Sequence, residues 1–127
     1  MSVEQSTANT DHNLPEMGVG EISTMLKATV ENAFQRVRVR GEISGFKRAP
    51  SGHLYMTLKD DDAVLDAVCW RGTAARLRVL PEDGLEVIAT GRLTTYAGRS
   101  KYQIVVESFE VAGEGALLKH LEDRRRQ

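Results

Sequence analysis

The chain has a single cysteine, Cys69. That excludes an internal disulfide framework and a cysteine-based metal cluster, and makes a reducing, cytoplasmic setting the expectation. No apolar run approaches the roughly 18 residues that a membrane span needs. The opening MSVEQSTANTDHNLPEM has neither a basic n-region nor an apolar h-region, so it does not read as a signal peptide. An excess of one charge is also missing. The net charge is −1, which argues against a uniformly basic nucleic-acid binder. Catalytic signatures are absent: no Ser or Cys nucleophile with a partner His at a plausible spacing, no phosphate loop, no metal-ligand set. His53 lies near neither a Cys nor a second spaced His. Asp60, Asp61 and Asp62 sit in one short turn, where successive side chains diverge, and they read as a solvated turn. No cofactor and no metal are expected.

What is present is enough chain for one domain with a real core: 127 residues, 41% of them hydrophobic. The charge is unevenly spread. Residues 1–35 hold five acids and one Lys, whereas residues 36–101 hold twelve Lys/Arg and eight acids. From Arg36 to Lys59 there are six Lys/Arg and one acid.

Hydrophobic periodicity orders the rest. Residues 1–18 are polar and aperiodic, and read as a disordered tail. A helix is predicted over Glu21–Gln35, with Ile22, Met25, Leu26, Thr29, Val30, Ala33 and Phe34 on one face and Gly20 or Ser23 as its cap. It would cover a mouth or edge of a sheet, or dock a partner. Strand one, Val37–Ser44, alternates apolar and charged residues. The loop Gly45–Gly52 (GFKRAPSG) leads to strand two, His53–Lys59. There Leu54, Met56 and Leu58 face a core, and His53, Tyr55, Thr57 and Lys59 face outward. In strand three, Ala63–Trp70, the small set Leu65, Ala67 and Cys69 belongs inside. That puts Val64, Asp66, Val68 and Trp70 outside, with strands two and three antiparallel. A short helix is predicted over Arg71–Leu80 with the stripe Ala74, Leu77 and Leu80. Strand four follows over Leu85–Thr95 and strand five over Lys101–Val111. A final helix starts near Ala116 and ends in Arg124, Arg125 and Arg126. It stops while still helical, which reads as a piece of a longer protein.

This order is mainly β: five strands, a helix before them, a short helix between strands three and four, and the start of a C-terminal helix. It matches the OB-fold, a five-stranded Greek-key barrel that binds oligonucleotides or oligosaccharides on its strand 2–3 face, between the one–two and four–five loops. On that mapping Phe46, Lys47, Arg48, His53, Tyr55, Lys59, Trp70, Arg71, Tyr96, Arg99 and Lys101 converge on one surface. Aromatics there stack on bases and cations meet phosphates. Other roles stand beside these. Trp70 is a stacking platform or a core residue. Phe46 stacks or packs under its loop. Arg71 clamps a phosphate or is a solvated helix start. Tyr96 sits at the loop, whereas Tyr102, alternating with Ile104 and Val106, is expected in the core.

The blocks GEISGF, SGHLYMTLKDD, CWRG, LTTYAGRSKYQIVVES and AGEGAL resemble, in order, the N-terminal domain of the exodeoxyribonuclease VII large subunit. Gly20 stands where that family usually has a Ser before the helix. The resemblance implies an OB-fold over residues 19–113 that binds single-stranded DNA, with residues 114–127 leading to a catalytic domain that is not in this chain. It further implies a parent enzyme that degrades single-stranded DNA from both ends to oligonucleotides without a strict need for a divalent metal, and a coiled-coil region that recruits a small subunit. This stretch alone would have no catalytic residues. Two other readings remain: an OB module that binds RNA, as anticodon-binding domains do, or one that docks an acidic protein partner.

Overall fold

The computed structural model describes residues 13–96, 98–99 and 101–112. The expected C-terminal helix, and all but the last residues of the expected tail, lie outside these. The elements are α1 (Val19–Ala33), β1 (Val37–Arg48), β2 (Leu54–Lys59), β3 (Val64–Cys69), α2 (Arg71–Ala74), β4 (Glu86–Thr95) and β5 (Tyr102–Val111). The strands close into a barrel in the order β1-β2-β3-β5-β4. β3 and β5 pair in parallel and every other pair is antiparallel. This is the OB-fold that the element order predicts.

Alternation fills the barrel. Ile43, Leu54, Met56, Leu58, Ala67, Cys69, Val87, Ala89, Ile104, Val106 and Phe109 form the buried core. The inward sets expected on strands two and three are all in this core or packed against it. Closure requires a very close approach at Gly91, where a Cβ would lie 2.1 Å from the Val105 carbonyl oxygen.

β1 runs four residues further than its alternation indicates. Between Ser44, opposite Thr57, and Lys47, opposite Tyr55, the two residues Gly45 and Phe46 face Met56 alone. This β-bulge is built on Gly45 at φ +65°, a left-handed conformation that glycine adopts without a Cβ penalty. The bulge's spare Phe46 N–H donates to Asp83 Oδ1 at 2.8 Å. The expected eight-residue loop therefore shrinks to residues 49–53, closed by Gly52 N–H donating to the Ala49 carbonyl at 2.8 Å.

Other expectations change as well. The helix predicted over Arg71–Leu80 is one turn long. Leu77 and Val79 then pack against the core by period 2, and Leu80 is exposed. Burial of alternate residues against the barrel wins over helix propagation there, because so short a helix has little cooperativity of its own. α1 starts at Val19, with Gly18 rather than Gly20 or Ser23 as its cap; Gly18 N–H donates to Glu21 Oε1 at 2.8 Å. The helix packs on β4, but none of its residues is buried and Ile22 and Met25 stay exposed. Its attachment is largely polar. Lys27 Nζ donates to Glu31 Oε2 at 2.7 Å and to Thr94 Oγ1 at 2.9 Å, and the Thr94 hydroxyl donates to the same carboxylate. Among the described residues no helix is long and apolar enough to cross a membrane.

Candidate nucleic-acid interface

Strand register assembles the outer face of the barrel. Lys47 on β1 stands opposite Tyr55 on β2, Tyr55 opposite Val68 on β3, Val68 opposite Val105 on β5, and Val105 opposite Arg92 on β4. The bulge decides that Lys47 belongs to this row, because two residues against one reset the alternation of β1. Tyr55 is 43% exposed. Val68, expected outside, does point that way but is only 1% exposed. It is a short side chain in the middle of the sheet, flanked directly by Tyr55 and Val105, and cross-strand neighbours lie within contact distance.

One step beyond the Leu54–Cys69 pair, the ladder leads to His53 and Trp70. Their rings meet edge to face, with centroids 5.1 Å apart and planes at 80°, a favoured aromatic geometry. His53 Nδ1 also accepts the Arg71 N–H at 2.8 Å. In the neutral imidazole this leaves the proton on Nε2. Trp70 is the residue before α2 and remains 40% exposed. The Arg71 side chain crosses Gly52, where a Cβ would lie 3.0 Å from Arg71 Cγ. The glycine of the β1–β2 loop thus makes room for the arginine, and a histidine of the same loop holds its backbone. Lys47, Arg48 and Arg71 are exposed around this cluster.

A second cluster lies toward the β4–β5 turn. The Tyr96 hydroxyl donates to Asp66 Oδ2 at 2.8 Å. Burial pushes the Tyr96 phenol up to about 12, reinforced by the hydrogen bond to Asp66. Asp66, Tyr96, Arg99 and Lys101 line a depression of about 360 Å³. That volume falls in the range of small-ligand clefts, roughly 300–1,000 Å³.

The remaining expected site residues sit differently. Phe46 is half-buried against the core. Lys59 is exposed at the end of β2 away from His53, opposite Val64, and lines a depression with Arg40 and Asp60. Tyr102, expected in the core, is 50% exposed. Its parity is the inward one, but it opens β5 at the barrel rim, where the core has ended. The basic run from Arg36 is also partly spent elsewhere. Arg36, Arg38 and Arg40 pair with Glu107, Glu110 and Glu86, on the β1–β4–β5 wall. Asp60 is a turn residue: its carboxylate accepts the Asp62 and Ala63 N–H groups, which hold its pKa below the usual value. Among the described residues no three His, Cys, Asp or Glu side chains are grouped to hold a metal ion.

Two residues of this surface were not among the expected site residues. Asp66 interrupts an apolar strand (VLDAVC) at an outward position, and that interruption was a readable signal. Gly52 had none, since its role depends on the path of Arg71.

Residues 17–110 match the family described as OB-fold nucleic acid binding domain. The chain is 64% identical over 118 residues to the exodeoxyribonuclease 7 large subunit of Rhodospirillum centenum, covering 93% of this chain and 23% of that protein. It is 57% identical over 129 residues to the protein of the same name from Brucella canis, covering 100% of this chain and 25% of that one. The chain thus spans about a quarter of the length of these curated relatives. Among solved structures, asparaginyl-tRNA synthetase from Pyrococcus horikoshii superposes with a TM-score of 0.50 at 16% identity, over 77% of this chain and 22% of the synthetase. At that identity the likeness concerns the fold alone.

Proposed function

The chain belongs to the family of OB-fold nucleic-acid-binding domains, and from that premise we propose that it captures single-stranded DNA on its β2–β3 face. The observation that carries this reading is the cluster at the β1–β2 loop. An exposed Trp70 is braced by His53, Arg71 is anchored beside it, and Tyr55 and Lys47 lie side by side on the adjoining strands. Stacking platforms beside exposed cations suit an unpaired strand, because every base has a π-face and every phosphate a charge. Lys47, Arg48, Arg71, Arg99 and Lys101 supply the electrostatic capture, and Trp70 and Tyr55 the stacking. Little sequence preference arises from stacking itself.

In the longer protein that its relatives exemplify, the domain would position single-stranded DNA for hydrolysis to oligonucleotides by a catalytic domain outside this chain. A small subunit would be the protein partner, and the cytoplasm the setting.

The test is a titration of fluorescein-labelled oligo-dT, at low and moderate salt, with the wild-type chain and Trp70→Ala. Wild type is expected to bind, salt to weaken binding, and Trp70→Ala to cost about 1–3 kcal/mol with an unchanged circular dichroism spectrum. Wild-type affinity in a folded Trp70→Ala protein overturns the assignment of this face. Tighter binding of an RNA strand of the same length moves the assignment to RNA.

A further inference from the structure

A carboxylate in the middle of a phosphate-binding face is a cost unless something uses it. Asp66 occupies such a place. It stands on the outward side of β3, opposite Thr57 on β2 and Gln103 on β5. It forms one wall of the depression that Tyr96, Arg99 and Lys101 complete. The Tyr96 hydroxyl occupies Oδ2 and leaves Oδ1 free to accept among the described residues. The two neighbouring cations can meet phosphates within the same depression, and Tyr96 is part of its lining. A carboxylate accepts hydrogen bonds and donates none. Toward a pyrimidine edge it accepts the N4 amino group of cytosine, whereas the N3–H of thymine or uracil reaches it only with the O2 and O4 carbonyls on either side, whose lone pairs repel it.

We infer that this depression is a nucleotide subsite in which Asp66 selects a base bearing an exocyclic amino group, cytosine over uracil or thymine among the pyrimidines. The inference rests on the single-strand-binding reading above and adds a base preference to it. Asp66 also anchors Tyr96, so the test must separate selection from anchoring.

Oligo-dC and oligo-dU of about 12 nucleotides, within the span an OB-fold engages, are titrated by fluorescence anisotropy at neutral pH. The two strands have the same backbone and similar stacking, and differ at the base edge that Asp66 would meet. The wild-type chain is expected to favour dC about threefold to tenfold, the worth of one hydrogen bond. Asp66→Asn keeps an acceptor for Tyr96 and presents an amide donor, so the ratio is expected to fall to one or invert toward dU. Loss of a negative charge raises affinity for both strands alike, so the ratio carries the answer. Tyr96→Phe removes the anchor and keeps the carboxylate, and is expected to preserve the dC preference. Equal wild-type binding of the two strands overturns the inference and leaves the single-strand reading standing. A preference unmoved by Asp66→Asn, or lost in a folded Tyr96→Phe protein, also overturns it. Failure of both strands to bind at low salt overturns the underlying reading and this inference with it.

Discussion

His53 joins two functions that its position in the sequence does not advertise. Its ring braces Trp70 and its Nδ1 holds the backbone of Arg71. Removing it frees both side chains of the proposed interface while leaving the core untouched, since His53 is only half-buried. His53→Ala is expected to weaken oligo-dT binding by about 1 kcal/mol with little change in melting temperature, read by anisotropy and circular dichroism. Cys69 behaves oppositely, as a residue of the interior. Burial pushes its thiol up from an ordinary value of 9.0 to about 11. The folded protein keeps the proton that the unfolded chain gives up near 9, so this group's contribution to stability is complete below that pH and is lost as pH rises toward about 11. Iodoacetamide at pH 8 is expected to leave Cys69 unmodified in the native protein and to label it on unfolding, as mass spectrometry would report. Outward parity was readable for both Trp70 and Val68; their burial was not, because burial depends on what the neighbouring strand places alongside.

Two adjacent threonines of β4 show how an element is tied to the rest. Thr94 faces α1 and joins the Lys27–Glu31 pair. Thr95 is buried, and its Oγ1 has no hydrogen-bond partner among the described residues. Denaturant unfolding should separate them: Thr94→Val is expected to lose about 1 kcal/mol, whereas Thr95→Val is neutral or stabilising, because a buried unpaired hydroxyl carries only its desolvation cost. The Glu31 carboxyl is held below its usual value, first by Lys27 and then by Thr94. The grip of α1 on β4 is therefore present above the ordinary carboxylate range and fades as pH falls through the lowered value. At Gly91 the strand touches β5 so closely that Gly91→Ala is expected to destabilise by about 3 kcal/mol, again by denaturant titration. Strand alternation announced β4. It announced neither the bulge at Gly45–Phe46, which needs Asp83 from a distant segment, nor the early end of α2, which the core imposes on Leu77 and Val79.

For the barrel as a unit, net charge is a poor guide to binding. The pI is near 6.3, yet the described strands sort their charges. Arg36, Arg38 and Arg40 are neutralised by glutamates on one wall. Lys47, Arg48, Arg71, Arg99 and Lys101 take part in no ion pair among the described residues. Affinity for oligo-dT is expected to fall with salt as the log–log slope of a few released counterions, about −2 to −3 for three to four phosphates. A slope near zero would remove the electrostatic part of the proposal. Arg38→Gln, on the paired wall, should leave that slope unchanged, and Lys47→Gln should reduce it.

The linear order of apolar periods, turns and glycines was enough to establish five strands, the antiparallel β2–β3 pair, the inward residues of β2 and β3, and the OB-fold itself. These follow from local rules: period 2 for strands, period 3.6 for helices, and turn chemistry between them. Which residues meet across strands was decided only on closure of the barrel. Closure put Lys47 beside Tyr55 through a bulge, set His53 against Trp70, brought Tyr96 to Asp66, spent three arginines on glutamates, and left Tyr102 at an open rim. Such pairings join residues far apart in the chain through register, and a one-residue change in register would rearrange every one of them.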